Sequence, residues 1–243
     1  MPYRSMSLED FARHVGMDAR DVQRLADRGK LPAQKVGGQW RFNRARVTEW
    51  LQQEMPSLAE DRLIAIERSM GCGLEGAPAD DCTFVTDLLG MEGIELALPA
   101  NTKASLLREL VKLAQRTGLL YDPLGLQFAL EEREGMCSTA LPNGVAIPHP
   151  RQPMPYVSAE PLIAMARVSR GIGFGSPDRG LTYLFFLICC HDDRHHLRVL
   201  ARLMRILDGD TVAALMEAEE REAVLQLLID KENQVIARSA RPR

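Results

Sequence analysis

The stretch Gly144-Val-Ala-Ile-Pro-His-Pro-Arg151 decides how the larger part of this 243-residue chain is read. A glycine followed by three apolar residues reads as a short strand, and Pro148 and Pro150 fix the backbone of the turn that follows. His149 therefore stands at a strand end. Held there, an imidazole can present one ring nitrogen to a partner while the other takes an orienting hydrogen bond. This predicts an exposed, nucleophilic ring. Arg133 lies 16 positions earlier, and His196 opens the apolar helical segment His196-Leu-Arg-Val-Leu-Ala-Arg-Leu-Met. Two imidazoles and a guanidinium suit a site that accepts and holds a phosphoryl group.

Around this stretch, strands alternate with helices. From Cys82 onward we expect a helix or turn at Val85–Leu89, a strand over Glu95–Leu98 and an amphipathic helix Lys103–Thr117 stopped by Gly118. A helix Pro123–Arg133 follows, then strands at Gly144–Ile147, Leu162–Val168 and Tyr183–Cys190. Helices Arg194–Leu207, Asp210–Ala218 and Arg221–Lys231 close the pattern. The fold class is α/β, a mixed sheet sandwiched by helices. Gly171-Ile-Gly-Phe-Gly175 lacks the strand-before and helix-after context of a nucleotide loop and reads as turns.

The first 55 residues follow another plan. Ser7, with Asp10 in capping-box spacing, opens a helix Leu8–Val15 that Gly16 stops. Asp18 opens a second helix, Ala19–Arg28, ended by Gly29. Leu31–Phe42 reads as a hairpin about Gly37-Gly38, and Asn43 caps a third helix, Arg44–Glu54. Helix, turn, helix, wing and helix make a small winged helix-turn-helix domain. Leu8, Phe11, Val15, Val22, Leu25, Val36, Trp40, Val47 and Trp50 are its expected core. Arg20, Gln23, Arg24 and Arg28 on the second helix, with Lys35, Gln39 and Arg41 on the wing, have the reach to touch bases and phosphates. The plain alternative is that they solvate a surface. We divide the chain into residues 1–55, a helical connector and linker over 56–81, and 82–243. The amphipathic stretch 57–70 supplies the connector helix, and the Gly/Pro/acid-rich run Gly71–Asp81 the linker.

Charge agrees with that division. Residues 1–55 carry ten Lys and Arg against seven Asp and Glu, whereas the remainder carries 20 against 26. A basic head on an acidic body fits nucleic-acid binding by the head. The chain is 46% hydrophobic and 26% charged, ordinary for a globular protein. The longest apolar run, Leu181–Cys190, is about half of what a membrane helix needs. We expect a cytoplasmic protein with no membrane association. Five cysteines without CxxC spacing argue against a disulfide framework or a structural zinc site. His191 and His195 stand four apart beside Asp192 and Asp193, but Arg194 interrupts the set. We expect no metal and no cofactor, with one of the two aspartates capping the next helix.

Two resemblances sharpen this reading. Met6-Ser-Leu-Glu-Asp-Phe-Ala-Arg-His-Val-Gly, Val22-Gln-Arg-Leu-Ala-Asp-Arg-Gly-Lys-Leu-Pro-Ala and Val36-Gly-Gly-Gln-Trp-Arg-Phe together resemble the excisionase/MerR-type winged helix domain, which implies DNA binding. Arg133-Glu-Gly-Met-Cys-Ser-Thr139, Gly144-Val-Ala-Ile-Pro-His149 and His196-Leu-Arg-Val-Leu-Ala resemble the enzyme IIA domain of the bacterial phosphotransferase system, of the mannitol/fructose and nitrogen-regulatory type. That resemblance covers about residues 85–232. It implies that His149 accepts a phosphoryl group from a histidine phosphocarrier protein, with His196 and Arg133 supporting the transfer. Ser138 and Thr139 would donate hydrogen bonds to phosphoryl oxygens, unless they serve packing or capping. Many relatives place glycine after the active histidine. Here Pro150 removes a backbone N–H, for which Arg151 would compensate as a cation. The combined implication is a regulator that couples phosphorylation to DNA, acting as a homodimer. A docking module without phosphotransfer, or a carrier passing phosphate to a separate IIB protein, are the alternatives.

Overall fold

In the computed structural model, which describes residues 5–71 and 84–240, local capping rules set the helix ends of the first part of the chain. The Ser7 hydroxyl accepts from the Asp10 N–H at 3.1 Å, and the Asp10 carboxylate takes the Ser7 N–H in return. Helix α1 (Leu8–Val15) ends on Gly16, whose φ of 62° suits glycine. Asp18 caps α2 (Ala19–Asp27) by accepting from the Arg20 N–H at 2.8 Å, and Asn43 caps α3 (Arg44–Glu54). Strands β1 (Ser5–Met6), β2 (Ala33–Val36) and β3 (Gln39–Asn43) form an antiparallel sheet in the order β1-β3-β2. The β2–β3 turn is Gly37-Gly38, both with positive φ, as a two-residue turn of this hand demands. Helix α4 (Glu60–Met70) follows; the linker expected over Gly71–Asp81 lies, apart from Gly71, outside the described residues.

Phe11 stacks on Phe42 with ring centroids 4.1 Å apart, and Val15, Val22, Val47, Leu51 and Ile66 are buried as well. The expected core needs a correction. Val36 is 60% exposed, and Leu8, Leu25, Trp40 and Trp50 are half-buried. Past Ala33 the β2–β3 ribbon is wet on both faces, so alternation there no longer marks an inside.

The larger sheet has the order β4-β6-β7-β5, from β4 (Ile94–Glu95), β5 (Val145–Ala146), β6 (Leu162–Ile172) and β7 (Thr182–Cys189). Its central β6–β7 pair is antiparallel and both outer pairs are parallel, so the sheet is mixed. Helix α5 (Lys103–Arg116) buries Leu106, Leu107, Leu110, Leu113 and Ala114, at the spacing of one helical face. Helix α6 (Pro123–Met136) has proline in its first turn, where a missing N–H costs nothing. Helices α7 (Asp193–Ile206), α8 (Gly209–Glu217) and α9 (Arg221–Ala240) complete the chain.

Three expectations shift. The strand over Glu95–Leu98 stops pairing after Glu95; the Leu98 N–H alone returns, to the Arg167 carbonyl at 2.8 Å. Strand β6 runs past Val168 to Ile172, through a register irregularity and through Gly171, where a side chain would collide with Tyr183 and Leu181. Helix α9 passes Lys231 to Ala240, since no breaker follows and Val235 still has core to cover.

Backbone proximity divides the described residues into two compact units. One contains residues up to 71 together with 193–205; the other contains residues 84–192 and 206–240. Helix α7 follows β7 in sequence yet groups, through residue 205, with the N-terminal elements.

Candidate functional site

The second unit builds one candidate site at the end of β5. Residues 139–141 run beside this strand: the Leu141 N–H donates to the Val145 carbonyl at 2.8 Å, and the Ile147 N–H to the Thr139 carbonyl at 3.1 Å. On the other side the Ile188 N–H reaches the Pro148 carbonyl at 3.0 Å and fastens the turn to β7. His149 then folds back, its Nδ1 lying 2.7 Å from the Ile147 carbonyl oxygen. A carbonyl only accepts, so Nδ1 carries a proton and the lone pair of a neutral ring is on Nε2. The exposed ring expected from sequence is corrected: His149 is 3% exposed, and every residue from Val145 to Pro150 is buried. Two prolines turn the chain into the protein rather than out of it.

Arg133, buried in the last turn of α6, donates Nη1 to the Cys137 carbonyl at 2.8 Å and approaches its Sγ at 3.1 Å. It thereby satisfies a carbonyl that the end of the helix leaves open. Its neighbour Glu134 is buried too and accepts from the Thr139 N–H, the Thr139 hydroxyl at 2.7 Å and Lys103 Nζ at 3.0 Å. Lys103 also lies over the Phe174 ring, 4.7 Å from its centroid. The Ser138 hydroxyl donates to the Phe174 carbonyl at 2.8 Å. Both hydroxyls that sequence directs toward phosphate thus spend their protons on protein acceptors. Arg133 lies in the last turn of α6, and Ser138 and Thr139 lie in the segment that follows it, joined to His149 through the backbone of Ile147; Arg151 is exposed. Sequence reasoning passed over Glu134 and Lys103. Glu134 was visible beside Arg133, but nothing local marks Lys103, 31 residues earlier.

His196 belongs to α7 and is buried. Its Nε2 lies 3.0 Å from the side-chain amide nitrogen of Gln52 on α3. His191 Nε2 faces the Ser158 hydroxyl at 3.2 Å. Among the described residues, no three His, Cys, Asp or Glu side chains converge as metal ligands would. Among them, too, no helix is long and apolar enough to cross a membrane.

The second candidate surface lies on the first unit. Gln23, Lys35, Gln39 and Arg41 line a cleft of about 310 Å³ with Gly38 and Trp40, so α2 and the wing present one surface. Trp40 Nε1 ties them by donating to Asp27 at 3.3 Å, and Lys35 lies over the Trp40 ring. Arg20 and Arg24 on α2, and Arg28 just past its end, are exposed outside that cleft. Arg24 is paired with Asp21, while Gln23 donates to Asp27. Gln34 and Arg46, which sequence did not single out, line a neighbouring cleft of about 580 Å³ with Arg41. Arg46 follows the helix cap, and only the fold places it beside the wing.

Residues 87–231 match the family described as "Phosphoenolpyruvate-dependent sugar phosphotransferase system, EIIA 2", and residues 5–55 match "Helix-turn-helix domain". The nitrogen regulatory protein of Bradyrhizobium diazoefficiens is 34% identical over 149 residues, 59% of this chain and 94% of that protein. The fructose-specific EIIABC component of Bacillus subtilis is 29% identical over 147 residues, 59% of this chain but only 23% of its own length. The crystal structure of the nitrogen regulatory protein IIA-Ntr from Neisseria meningitidis superposes with a TM-score of 0.54 at 27% identity, covering 59% of this chain and 98% of that one.

Proposed function

The chain belongs to the phosphotransferase system EIIA type 2 family and carries a helix-turn-helix domain, and from this premise we propose that it is a regulator in which phosphorylation of His149 tunes DNA binding. The phosphoryl donor is a histidine phosphocarrier protein. His149 Nε2 attacks the phosphorus, the donor's P–N bond breaks, and the electron pair leaves with the donor's imidazole. The observation that carries this reading is the 2.7 Å contact between His149 Nδ1 and the Ile147 carbonyl, which leaves Nε2 as the nucleophile and supports the cationic ring formed as the P–N bond closes. Arg133 and His196 neutralise phosphoryl oxygens in transit, as they would in the enzyme IIA domains that the sequence resembles. No cofactor takes part.

The head is the DNA reader, of the excisionase type, through α2 and the wing. The domains are residues 1–55, the connector 56–81 and the phosphoryl acceptor 82–243. Phosphorylation adds about two negative charges at one buried position, enough to redirect contacts with charged partners. Exposed Tyr121, Leu124 and Phe128 near the start of α6 offer an apolar face suited to a transient protein partner, a phosphocarrier or a IIB or regulatory protein. Two copies reading adjacent half-sites would give a head of this size firm specificity.

The test is incubation with phosphoenolpyruvate-driven donor proteins. Wild type should acquire acid-labile, base-stable label and His149→Ala none, and the labelled protein should bind DNA with altered affinity. Equal affinity in both states removes the coupling. The burial of His149 favours a second reading, a docking or sensing module that has given up transfer. Absence of label from the wild type would establish it.

A further inference from the structure

Gln52 sits on the inner face of α3, in the helix-turn-helix domain, with its amide buried against the His196 ring. The amide nitrogen is 3.0 Å from ring Nε2. An amide NH₂ only donates, so ring Nε2 is the acceptor, and a neutral ring facing it carries its proton on Nδ1. Gln52 Oε1 is buried too and has no hydrogen-bond partner among the described residues. An unmatched buried acceptor is a standing cost, which a plain packing residue would not carry. Half a turn of the amide would aim that oxygen at a ring carrying an Nε2 proton.

The two side chains are also held to one another. Glu67 on α4 accepts from Arg202 Nε and from Arg205 Nη1, each at 2.6 Å, so α7 is clamped to α4, the α-helix that follows the one carrying Gln52. The Arg205 side chain is 1% exposed. A contact fixed in this way sets ring orientation as well as proton position.

We propose that Gln52 is a positioning residue for phosphoryl transfer. It holds His196 in the Nδ1-protonated tautomer, so that the second histidine of the acceptor set takes its protonation state from the DNA-reading domain. The tautomer assignment stands on the Gln52–His196 contact alone. Its link to transfer rests on the function proposed above.

The test uses the full chain labelled with ¹⁵N-histidine, with His196 signals assigned by their absence from His196→Gln. Long-range ¹H–¹⁵N correlations should show wild-type His196 protonated on Nδ1. Gln52→Leu should move the proton toward Nε2, and Gln52→Glu, whose carboxylate can only accept and which keeps the side chain's shape, should hold it there. In the same preparations Gln52→Leu should slow labelling of His149 about tenfold at saturating phosphodonor, with little change in the donor concentration giving half-maximal rate. Identical His196 ring signals in wild type and both variants overturn the proposal, as does unchanged labelling alongside a moved proton. If the wild type takes no label while the ring signals move as expected, the phosphotransfer reading falls and the Gln52 contact stands.

Discussion

His149 Nδ1 lies 2.7 Å from the carbonyl oxygen of Ile147, two residues earlier in the chain. The contact is local, set by the turn between Pro148 and Pro150, and it places the proton of the neutral ring on Nδ1. Because Nδ1 is occupied, the phosphohistidine formed should be the Nε2 isomer. Nitrogen–phosphorus couplings in a ¹⁵N-labelled phosphoprotein distinguish the two isomers, and phosphate on Nδ1 would show that the turn opens before transfer.

The head surface makes a prediction about salt. Arg28 is exposed at the end of α2 with no ion-pair partner among the described residues, whereas Arg24 already faces Asp21. Arg28→Ala should reduce the slope of log affinity against log salt by about one on random duplex DNA, and Arg24→Ala by less. Fluorescence anisotropy across a salt series measures both. An unchanged slope for Arg28→Ala would place that residue off the DNA.

Two glycines separate backbone strain from steric fit. Gly16 and Gly29 have nearly equal φ, 62° and 68°. A Cβ on Gly16 would come within 2.6 Å of the Ala65 carbonyl oxygen, whereas one on Gly29 would meet nothing within 4 Å. Gly29→Ala should cost about 1 kcal/mol, the penalty of the left-handed region alone. Gly16→Ala should cost at least twice that, since backbone must also move. Urea unfolding of the two variants gives the comparison, and equal losses would refute the role of the α1–α4 approach.

His14 predicts a loss of stability in acid. Burial, and then the nearby charges of Arg44 and Arg194, push its pKa down to about 4 from 6.5. The unfolded chain therefore binds this proton more readily, and stability falls as pH drops from 6.5 toward 4, at about 1.4 kcal/mol per unit. Well above pH 6.5 the ring is neutral in both states and contributes no slope. Between pH 7 and pH 4 the wild type should lose roughly 3 kcal/mol more than His14→Leu. Parallel stability curves for the two would show that His14 titrates normally.

Much of the fold was legible because the rules that shape it act over three or four residues. Ser7 with Asp10, Asp18, Asn43 and the Gly37-Gly38 turn all do in space what their spacing announces. The face of α5 was equally plain, since a 3.6-residue period needs no partner to be recognised. Less legible was whatever depended on what lies alongside. Val36 is an expected core residue of the head, but among the described residues no element covers that side of the ribbon. The end of α9 was placed early because burial of Val235 depends on neighbours from elsewhere in the chain.

The candidate site divides in the same way. His149, Arg133 and His196, the residues that the motifs single out, announce themselves through motif order. The long-range pairs around them do not. Lys103 reaches Glu134 across 31 residues, Gln52 reaches His196 across 144, and Glu67 reaches Arg205 across 138.

Sequence by itself determined the helices, the wing and the family to which the chain belongs, and it singled out His149 as the candidate imidazole, because each follows from short-range stereochemistry or from residue order. Only tertiary structure decided that this imidazole is buried, that Ser138 and Thr139 donate within the protein, and that an α3 glutamine addresses His196. Hydrogen-bond partners and exposure are properties of packed neighbours, and distant neighbours leave no periodic mark along the chain.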